Sequence, residues 1–248
     1  AGCGAPAGRP LSDPEKAVRA ALQQPIEFPP LRQIVVPGDR IVVALEDGLV
    51  KPAPIVAGVV QELLTAGIEP EQIQLVRGQR DARLSRAAPT RDLPTEVRQR
   101  IQVHVHDPTD RNGLCLLNIS SHEDRPIYLN RTLVDADLVL PVGVMRPRGS
   151  LGYLGVHGAL FPTFADHDTQ QRFWAPRSTL AEAVLQRRRA EAQEAAWLLG
   201  IRMTLQLSPG RGETLLHVLA GDAEAVEPRG RALCDQIWRF TVPRRASL

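Results

Sequence analysis

Three cations follow three separate apolar runs that have the composition of buried strands. Lys51 comes shortly after RIVVALE, Arg80 after IQLVR, and Arg148 after DLVLPVGVM. In open α/β sheets, ligands bind in the crevice at the carboxyl ends of the strands, which is where residues in these positions lie. The pattern predicts an anion-binding crevice that contains all three cations, and the alternative is that they are scattered over the surface.

Two further residues follow the same runs directly. Asp47 comes after the first run and Gly78 after the second. Glycine at a strand exit allows a ligand or another chain segment to approach the backbone closely. The helix that follows Lys51 would also offer N–H groups to an anion, although Pro52 removes one of them.

His104 and His106 alternate with valines in the run IQVHVH (101–106), so both imidazoles face the same side of a strand. Two imidazoles on one face can bind a metal ion, but a pair alone has too few ligands for a site. An exposed or hydrogen-bonded polar face is therefore the favoured interpretation, and we expect no metal site.

The composition is that of an ordinary globular protein. The chain has 248 residues, of which 43% are hydrophobic and 23% charged, and its net charge of +2 does not by itself indicate a nucleic-acid partner. No apolar run approaches the roughly 20 residues of a membrane-spanning helix. The 3 cysteines are too far apart for a disulfide framework, which fits a reducing compartment. We therefore expect a cytoplasmic protein that binds neither nucleic acid nor a membrane.

The order of the apolar runs predicts one α/β domain. A strand, a helix and a second strand with short connections form a parallel crossover unit over residues 40–77. The expected fold is three-layer-like, with helices on both sides of a mixed, mostly parallel sheet; residues 1–12 are loose and residues 13–248 form the domain. Long loops are expected at 78–94 and 146–177. The remaining expected elements are helices at 13–24, 95–100, 179–200 (with a Thr179/Glu182 capping box) and 222–238, and strands at 101–106, 114–120, 126–130, 137–145, 201–208, 213–220 and 239–243.

The order of these segments resembles the N-terminal domain of the nickel-pincer lactate racemase (LarA-like) family. The Pro-Gly-Asp turn, buried strand and EDGLVKPAP are similar to that family's opening, which ends in Asp-Asp-x-Thr-Arg-Pro-Thr-Pro, and VRGQR lies where the family has Gly-Thr-His-Arg. The spacing of Gly152, Gly155 and Pro162 is similar to its glycine-rich loop. The resemblance implies an isomerase family that acts on hydroxy acids. It also implies a second, C-terminal domain, and this sequence stops where that domain would begin.

The resemblance implies a nickel-pincer cofactor, but the matching positions carry other residues. The lysine that holds the cofactor falls on Gly158, and three histidines fall on Arg148, Trp174 and Arg80. Glycine has no amine with which to tether a cofactor, and the indole nitrogen does not coordinate metals. We therefore expect no cofactor and no classical lactate racemization.

Three functions remain open. The first is a divergent domain, a pseudoenzyme candidate, that binds a small carboxylate or other anion; its ligand-binding candidates are Lys51, Arg80, Arg148, Gly78, Gly152, Gly155 and Trp174. The second is a hydroxy-acid racemase or epimerase of altered mechanism, with acid and base drawn from Asp47, His157 and His167. The third is a non-catalytic domain that binds a partner, either as a homo-oligomer or with a separate C-terminal domain.

Overall fold

Six of the eight strands in the described residues form one sheet. The computed structural model describes residues 8–83, 88–147, 153–174 and 182–238. The strands are β1 (Ile41–Leu45), β2 (Ile73–Arg77), β3 (Gln102–Val105), β4 (Leu114–Ile119), β5 (Pro126–Asn130), β6 (Leu138–Val144), β7 (Met203–Pro209) and β8 (Leu215–Asp222). The sheet order is β3-β2-β1-β6-β7-β8, and all neighbours are parallel except β7 and β8; β4 and β5 form a separate antiparallel pair. The expected α/β class with a mixed, mostly parallel sheet is confirmed.

The helices in the described residues are α1 (Pro14–Gln23), α2 (Pro52–Thr65), α3 (Gln79–Arg83), α4 (Thr95–Arg100), α5 (Arg131–Val134), α6 (His167–Trp174), α7 (Glu182–Leu198) and α8 (Ala223–Ile237). Asp13 caps α1 by accepting a hydrogen bond from the N–H of Lys16 at 2.9 Å. The turn after α2 contains Gly67 at a φ of 87°, the left-handed conformation that glycine adopts readily. No helix in the described ranges is both long enough and apolar enough to cross a membrane.

Two layers cover the sheet. On one face, α1 and α2 pack over alternating strand residues such as Val43 and Leu75. On the other face, the β4–β5 pair and the helices α5, α6 and α7 pack over residues such as Val42 and Val76. A smaller cluster that includes Met145 and Val226 lies under α8. The three-layer arrangement follows from strands that are apolar on both faces.

The two segments expected to be long loops contain short helices. The first holds α3, directly after β2, and the second holds α6 together with a 3₁₀ turn at Val156–Ala159. The sequence of α6, HDTQQRFW, is mostly polar, so it shows little apolar periodicity; Phe173 is nevertheless buried at the end of it. Thr179 and the expected strand 239–243 lie outside the described residues.

Candidate functional site

The loops that leave β1 and β2 are joined by two hydrogen bonds, in each of which a backbone N–H of one loop donates to an aspartate carboxylate of the other. The backbone N–H of Asp81 donates to Oδ1 of Asp47 at 3.2 Å, and the N–H of Gly48 donates to Oδ2 of Asp81 at 2.8 Å. Because β1 and β2 are parallel, with Leu45 opposite Arg77, both loops start at the same edge of the sheet. The two loops therefore form one preorganised unit, which we call the exit-loop crevice (46–51 and 78–81).

Gly78 makes this arrangement possible. It is buried, and a Cβ at this position would overlap with the carboxylate of Asp47. In the described residues, the group that approaches the Gly78 backbone is thus a carboxylate of the chain itself.

Burial raises the pKa of the Asp47 carboxyl above its ordinary value. The neighbouring Asp81 carboxylate also raises this pKa, whereas the hydrogen bond from the Asp81 N–H and the positive charge of Arg80 lower it. Oδ1 of Asp81 is shielded from water and has no hydrogen-bond partner among the described residues. The crevice therefore contains a carboxyl shifted towards its neutral form and an acceptor oxygen without a donor.

A partly buried ion pair links β1 to β6 at the same edge. Oε1 of Glu46 accepts a hydrogen bond from Nη2 of Arg146 at 2.9 Å, and its Oε2 accepts one from the N–H of Val144 at 2.8 Å. Burial raises the pKa of the Glu46 carboxyl, and the Arg146 charge and the Val144 N–H oppose that rise. This pair fixes the segment that leaves β6 against the crevice.

The structure places two of the three predicted cations at this edge. Arg80 lies in the first turn of α3 close enough to Asp47 to lower its pKa, and Lys51 precedes α2 with a φ of 51°. Both side chains are exposed, and among the described residues neither forms a salt bridge. Arg148 lies outside the described residues, so its predicted place in the crevice stays a prediction.

The described part of the glycine-rich segment, which includes Gly155, packs closely against α8. Gly155 has a φ of 90°, and a Cβ there would lie 2.8 Å from Oε2 of Glu227. Just before it, the Tyr153 hydroxyl donates to Sδ of Met145 at 3.4 Å, and burial raises the pKa of this tyrosine. Gly152 lies outside the described residues. In the described part, the close approach at Gly155 is made by a glutamate of α8, and its predicted ligand role stays a prediction.

The candidate acid and base residues lie in three different surroundings. Burial lowers the pKa of half-buried His157, against the opposing effect of the acidic side chains Glu227, Glu224 and Asp222. His167 is exposed at the start of α6, with its Nε2 2.7 Å from the Gln171 amide nitrogen. Among the described residues, neither histidine shares a hydrogen bond or an ion pair with Asp47, which lies in the exit-loop crevice.

The described residues do not fit the nickel-pincer cofactor at the positions that the resemblance assigns to it. Gly158 lies in the 3₁₀ turn, where a Cβ would already be 3.3 Å from Cβ of Leu154. Trp174 is 64% exposed at the end of α6, and Arg80 carries a guanidinium, which does not serve as a metal ligand. Across the described ranges, no three His, Cys, Asp or Glu side chains are grouped so that they could hold a metal ion.

The sequence predicts this edge but not three of the polar residues that form its contacts. Asp81 and the Glu46–Arg146 pair were not predicted, although each lies within four residues of a strand end that was. Their positions just past a strand were a usable signal. Which partner each one meets depends on the strand register, and the sequence does not give that register.

Comparisons with known proteins give the same architecture. The chain superposes on the lactate racemase apoprotein from Thermoanaerobacterium thermosaccharolyticum with a TM-score of 0.69 and 16% identity, covering 96% of this chain and 63% of that one. It superposes on a protein from Thermotoga maritima with a TM-score of 0.58 and 16% identity, covering 93% of this chain and 60% of that one. At such identity the likeness shows the fold alone, and this chain spans less than two thirds of either relative.

None of the curated proteins matches the chain. The family model of the lactate racemase N-terminal domain does, over residues 5–175. That stretch contains β1 to β6 and the exit-loop crevice, and it is well over half of the chain. The chain therefore belongs to the lactate racemase N-terminal domain family.

Proposed function

We propose that this domain binds a small carboxylate, of the 2-hydroxy acid kind, or another small anion in the exit-loop crevice, without nickel-pincer racemase chemistry. The observation that carries the proposal is the pair of hydrogen bonds between the Asp47 and Asp81 loops. They hold exposed Arg80 beside the crevice before any ligand arrives, and a preorganised site loses less entropy on binding.

The charges of the crevice support an anion. Glu46 is neutralised by Arg146, and burial shifts Asp47 towards its neutral form. The exposed cations Arg80 and Lys51 then outnumber the one remaining carboxylate of the crevice, that of Asp81, and attract a negative ligand. A charge-assisted hydrogen bond from either one contributes about 1.5–3 kcal/mol when it is partly desolvated.

The unpartnered oxygen supports a hydroxyl on that ligand. Oδ1 of Asp81 is buried and accepts no hydrogen bond from the described residues. A buried acceptor without a donor is costly, so a movement of the 78–81 loop that lets a ligand hydroxyl donate to it would gain affinity. A 2-hydroxy acid brings a carboxylate for Arg80 and a hydroxyl for Asp81 in one molecule.

Calorimetric titration of the chain with lactate, gluconate and inorganic phosphate tests the proposal. We expect saturable binding of at least one of these anions, and Arg80→Ala should weaken it about tenfold or more, the effect of losing one charge-assisted bond. Lys51→Ala should weaken it in the same direction.

The matched control is Arg98→Ala. Arg98 is an exposed arginine in α4, which precedes β3 and so lies at the opposite edge of the sheet. We expect this variant to bind like the unmodified chain. The proposal is wrong if none of the three anions binds, or if Arg80→Ala and Lys51→Ala bind as Arg98→Ala does.

The isomerase alternative has weaker support. Its base would be His157, whose lowered pKa keeps it neutral near pH 7, but the charged groups that act on it belong to α8 and the residue before it. Its acid would be Asp47, in the crevice.

The partner-binding alternative is supported by exposed aromatic side chains, of which Trp197 is 76% exposed.

A further inference from the structure

The two outer strands of the six-stranded sheet differ in what covers them. β8 is covered by segments from the start of the chain, since the N–H of Ile26 donates to the Ala220 carbonyl at 2.8 Å. The N–H of Asp222 donates to the Ile26 carbonyl at 3.0 Å, and that of Leu11 to the Leu215 carbonyl at 2.8 Å. At the other end of the sheet, β3 has β2 as its only strand neighbour among the described residues. We call the open side of this strand the β3 edge (102–105).

The backbone groups of Val103 and Val105 point away from β2. The N–H of His106 donates to the Arg77 carbonyl of β2 at 2.9 Å. Successive N–H groups of an extended strand point to opposite sides, so those of Val103 and Val105 point outwards, as do their carbonyl groups. In the described part of the chain, no hydrogen bond from a turn or loop backbone reaches either residue. The β3 edge therefore presents two outward donors and two outward acceptors.

The side chains of the β3 edge do not protect it against pairing. Val103 is 41% exposed and Val105 is 49% exposed. Both lie on the face of the sheet that α1 and α2 cover, because Val103 is in register with Leu75. The strand sequence, QVHV, has no lysine, arginine or proline, and its pairing with β2 has no bulge. Such features are the usual means by which an edge strand is kept from pairing with another chain.

A second copy of β3 fits this edge in one antiparallel register. When His104 lies opposite His104 of the second copy, Val103 of each copy lies opposite Val105 of the other. Because the outward groups belong to these valines, each such pair exchanges two backbone hydrogen bonds, and the valines of both copies meet on one face of the sheet. A shift by two residues would instead pair one valine of each copy with buried Ile101 or charged Asp107.

The charges at the two ends of β3 match the same arrangement. Arg98, in α4 before the strand, and Asp110, in the segment after it, are both exposed. Neither forms a salt bridge among the described residues. Antiparallel pairing sets the basic end of each copy beside the acidic end of the other, and a two-fold axis does so twice. Parallel pairing of two copies would set like charges together.

We propose that two copies of this chain associate by antiparallel pairing of their β3 edges, which joins the two sheets into one continuous sheet. The interface is small, because it consists of the backbone hydrogen bonds, the valine contacts and the charges at the strand ends. We expect a dissociation constant of roughly 10–100 µM, as for a weak, transient complex. The interface uses no residue of the exit-loop crevice, so it does not depend on the anion site proposed above.

Sedimentation velocity of the full chain between about 5 and about 500 µM tests the proposal, and we expect a monomer at the lower end and a dimer at the upper end. Val105→Pro removes an outward N–H without removing a hydrogen bond to β2, and Val103→Lys places a charge among the valines. Each should raise the dissociation constant about tenfold or more. Should Val105→Pro fail to fold, Val103→Lys carries the test. The matched control is Val36→Lys, which changes an exposed valine before β1 and should leave the dissociation constant unchanged.

A charge reversal tests the direction of pairing. Arg98→Glu makes both ends of each β3 acidic and should weaken the dimer about threefold or more, because like charges then meet at both ends of the interface. Arg32→Glu makes the same change in net charge at an exposed position of the 3₁₀ turn Leu31–Gln33 and should leave the dimer as it is.

Three results would overturn the proposal. One is a chain that stays monomeric up to about 500 µM, which would leave the β3 edge to a strand of another protein. Another is a dimer that is as tight in Val103→Lys and Val105→Pro as in the Val36→Lys control. The third is an Arg98→Glu dimer no weaker than the Arg32→Glu dimer, which would contradict the antiparallel arrangement.

Discussion

The buried side chain of His106 is compatible with the fold in only one protonation state, the neutral one. His106 is 1% exposed, and its Nδ1 accepts a hydrogen bond from the Asn130 amide, so the ring must be neutral. Burial lowers its pKa, and the Ala165 carbonyl and nearby carboxylates oppose that shift only in part. Protonation would remove the acceptor and leave a charge in the core.

We therefore expect the protein to lose stability as the pH falls below about 6.5, where an unfolded histidine takes up a proton that the folded one resists. The unfolded state binds more protons in this window, so the free energy of unfolding decreases with decreasing pH. Urea titrations between about pH 7.5 and about pH 5.5 measure the slope.

His106→Gln should reduce this slope without abolishing it, because burial also lowers the pKa of His157. His122→Ala, at an exposed position, should retain the full slope. A His106→Gln variant with the slope of the unmodified chain would contradict the assignment.

For single residues, the sequence predicts correctly which side chains lie at this edge when they directly follow a strand. Arg80 and Lys51 follow apolar runs, and parallel strands bring such positions to one edge. Asp81 was missed because its partner, Asp47, is 34 residues away in the chain, and only the pairing of β1 with β2 brings the two together. A hydrogen bond of this kind can be predicted only when the register between the two strands is known.

One small residue, Gly58, sets the distance between the helices α1 and α2. At Gly58 in α2, an added Cβ would lie 2.8 Å from the Glu15 carbonyl oxygen and 2.9 Å from Cβ of Val18, both in α1. Arg19 and Gln23 of α1 reach across to the buried carboxylate of Glu62 at 2.9 and 2.8 Å. The two helices are thus held close by contacts as well as by apolar packing.

Gly58→Ala should destabilise the protein by about 1–3 kcal/mol, because the overlap outweighs the roughly 1 kcal/mol that alanine gains over glycine in a helix. Denaturant unfolding measures the change. Gln61→Ala, on the exposed side of the same helix, should stay within about 0.5 kcal/mol of the unmodified chain. A Gly58→Ala variant that is more stable than the unmodified chain would show that α1 moves aside without cost.

Elements with strong apolar patterns were predictable, and short polar ones were not. The runs that became β1, β2 and β6 are continuous and β-branched, and they matched the structure closely. The short helices α3 and α6 have too few apolar residues to show a helical period, so the sequence predicts loops in their place. Their helical form depends on what packs against them.

The whole molecule extends beyond the stretch that defines its family. The family model ends at residue 175, but β7 and β8 complete the sheet beyond that point. Leu205 and Leu207 of β7 are fully buried in the main core, beside Val142 and Val144 of β6. The main core of the fold therefore includes side chains from the last third of the chain.

A chain cut after residue 175 should fail to fold cooperatively, because β6 would lose one of its two neighbouring strands and the core would lose the side chains of β7. Circular dichroism during urea titration measures this, with the whole chain as reference. A single sharp transition in the shortened chain would show instead that the first six strands suffice.

The reciprocal bonds between the Asp47 and Asp81 loops have a consequence for how such a surface diversifies. Each aspartate secures a backbone N–H of the opposite loop, so neither loop is an independent module. Lengthening or replacing one of them releases its counterpart as well. New specificities are therefore reached by grafting both segments together, and a graft of one alone would leave the recipient with two misplaced loops.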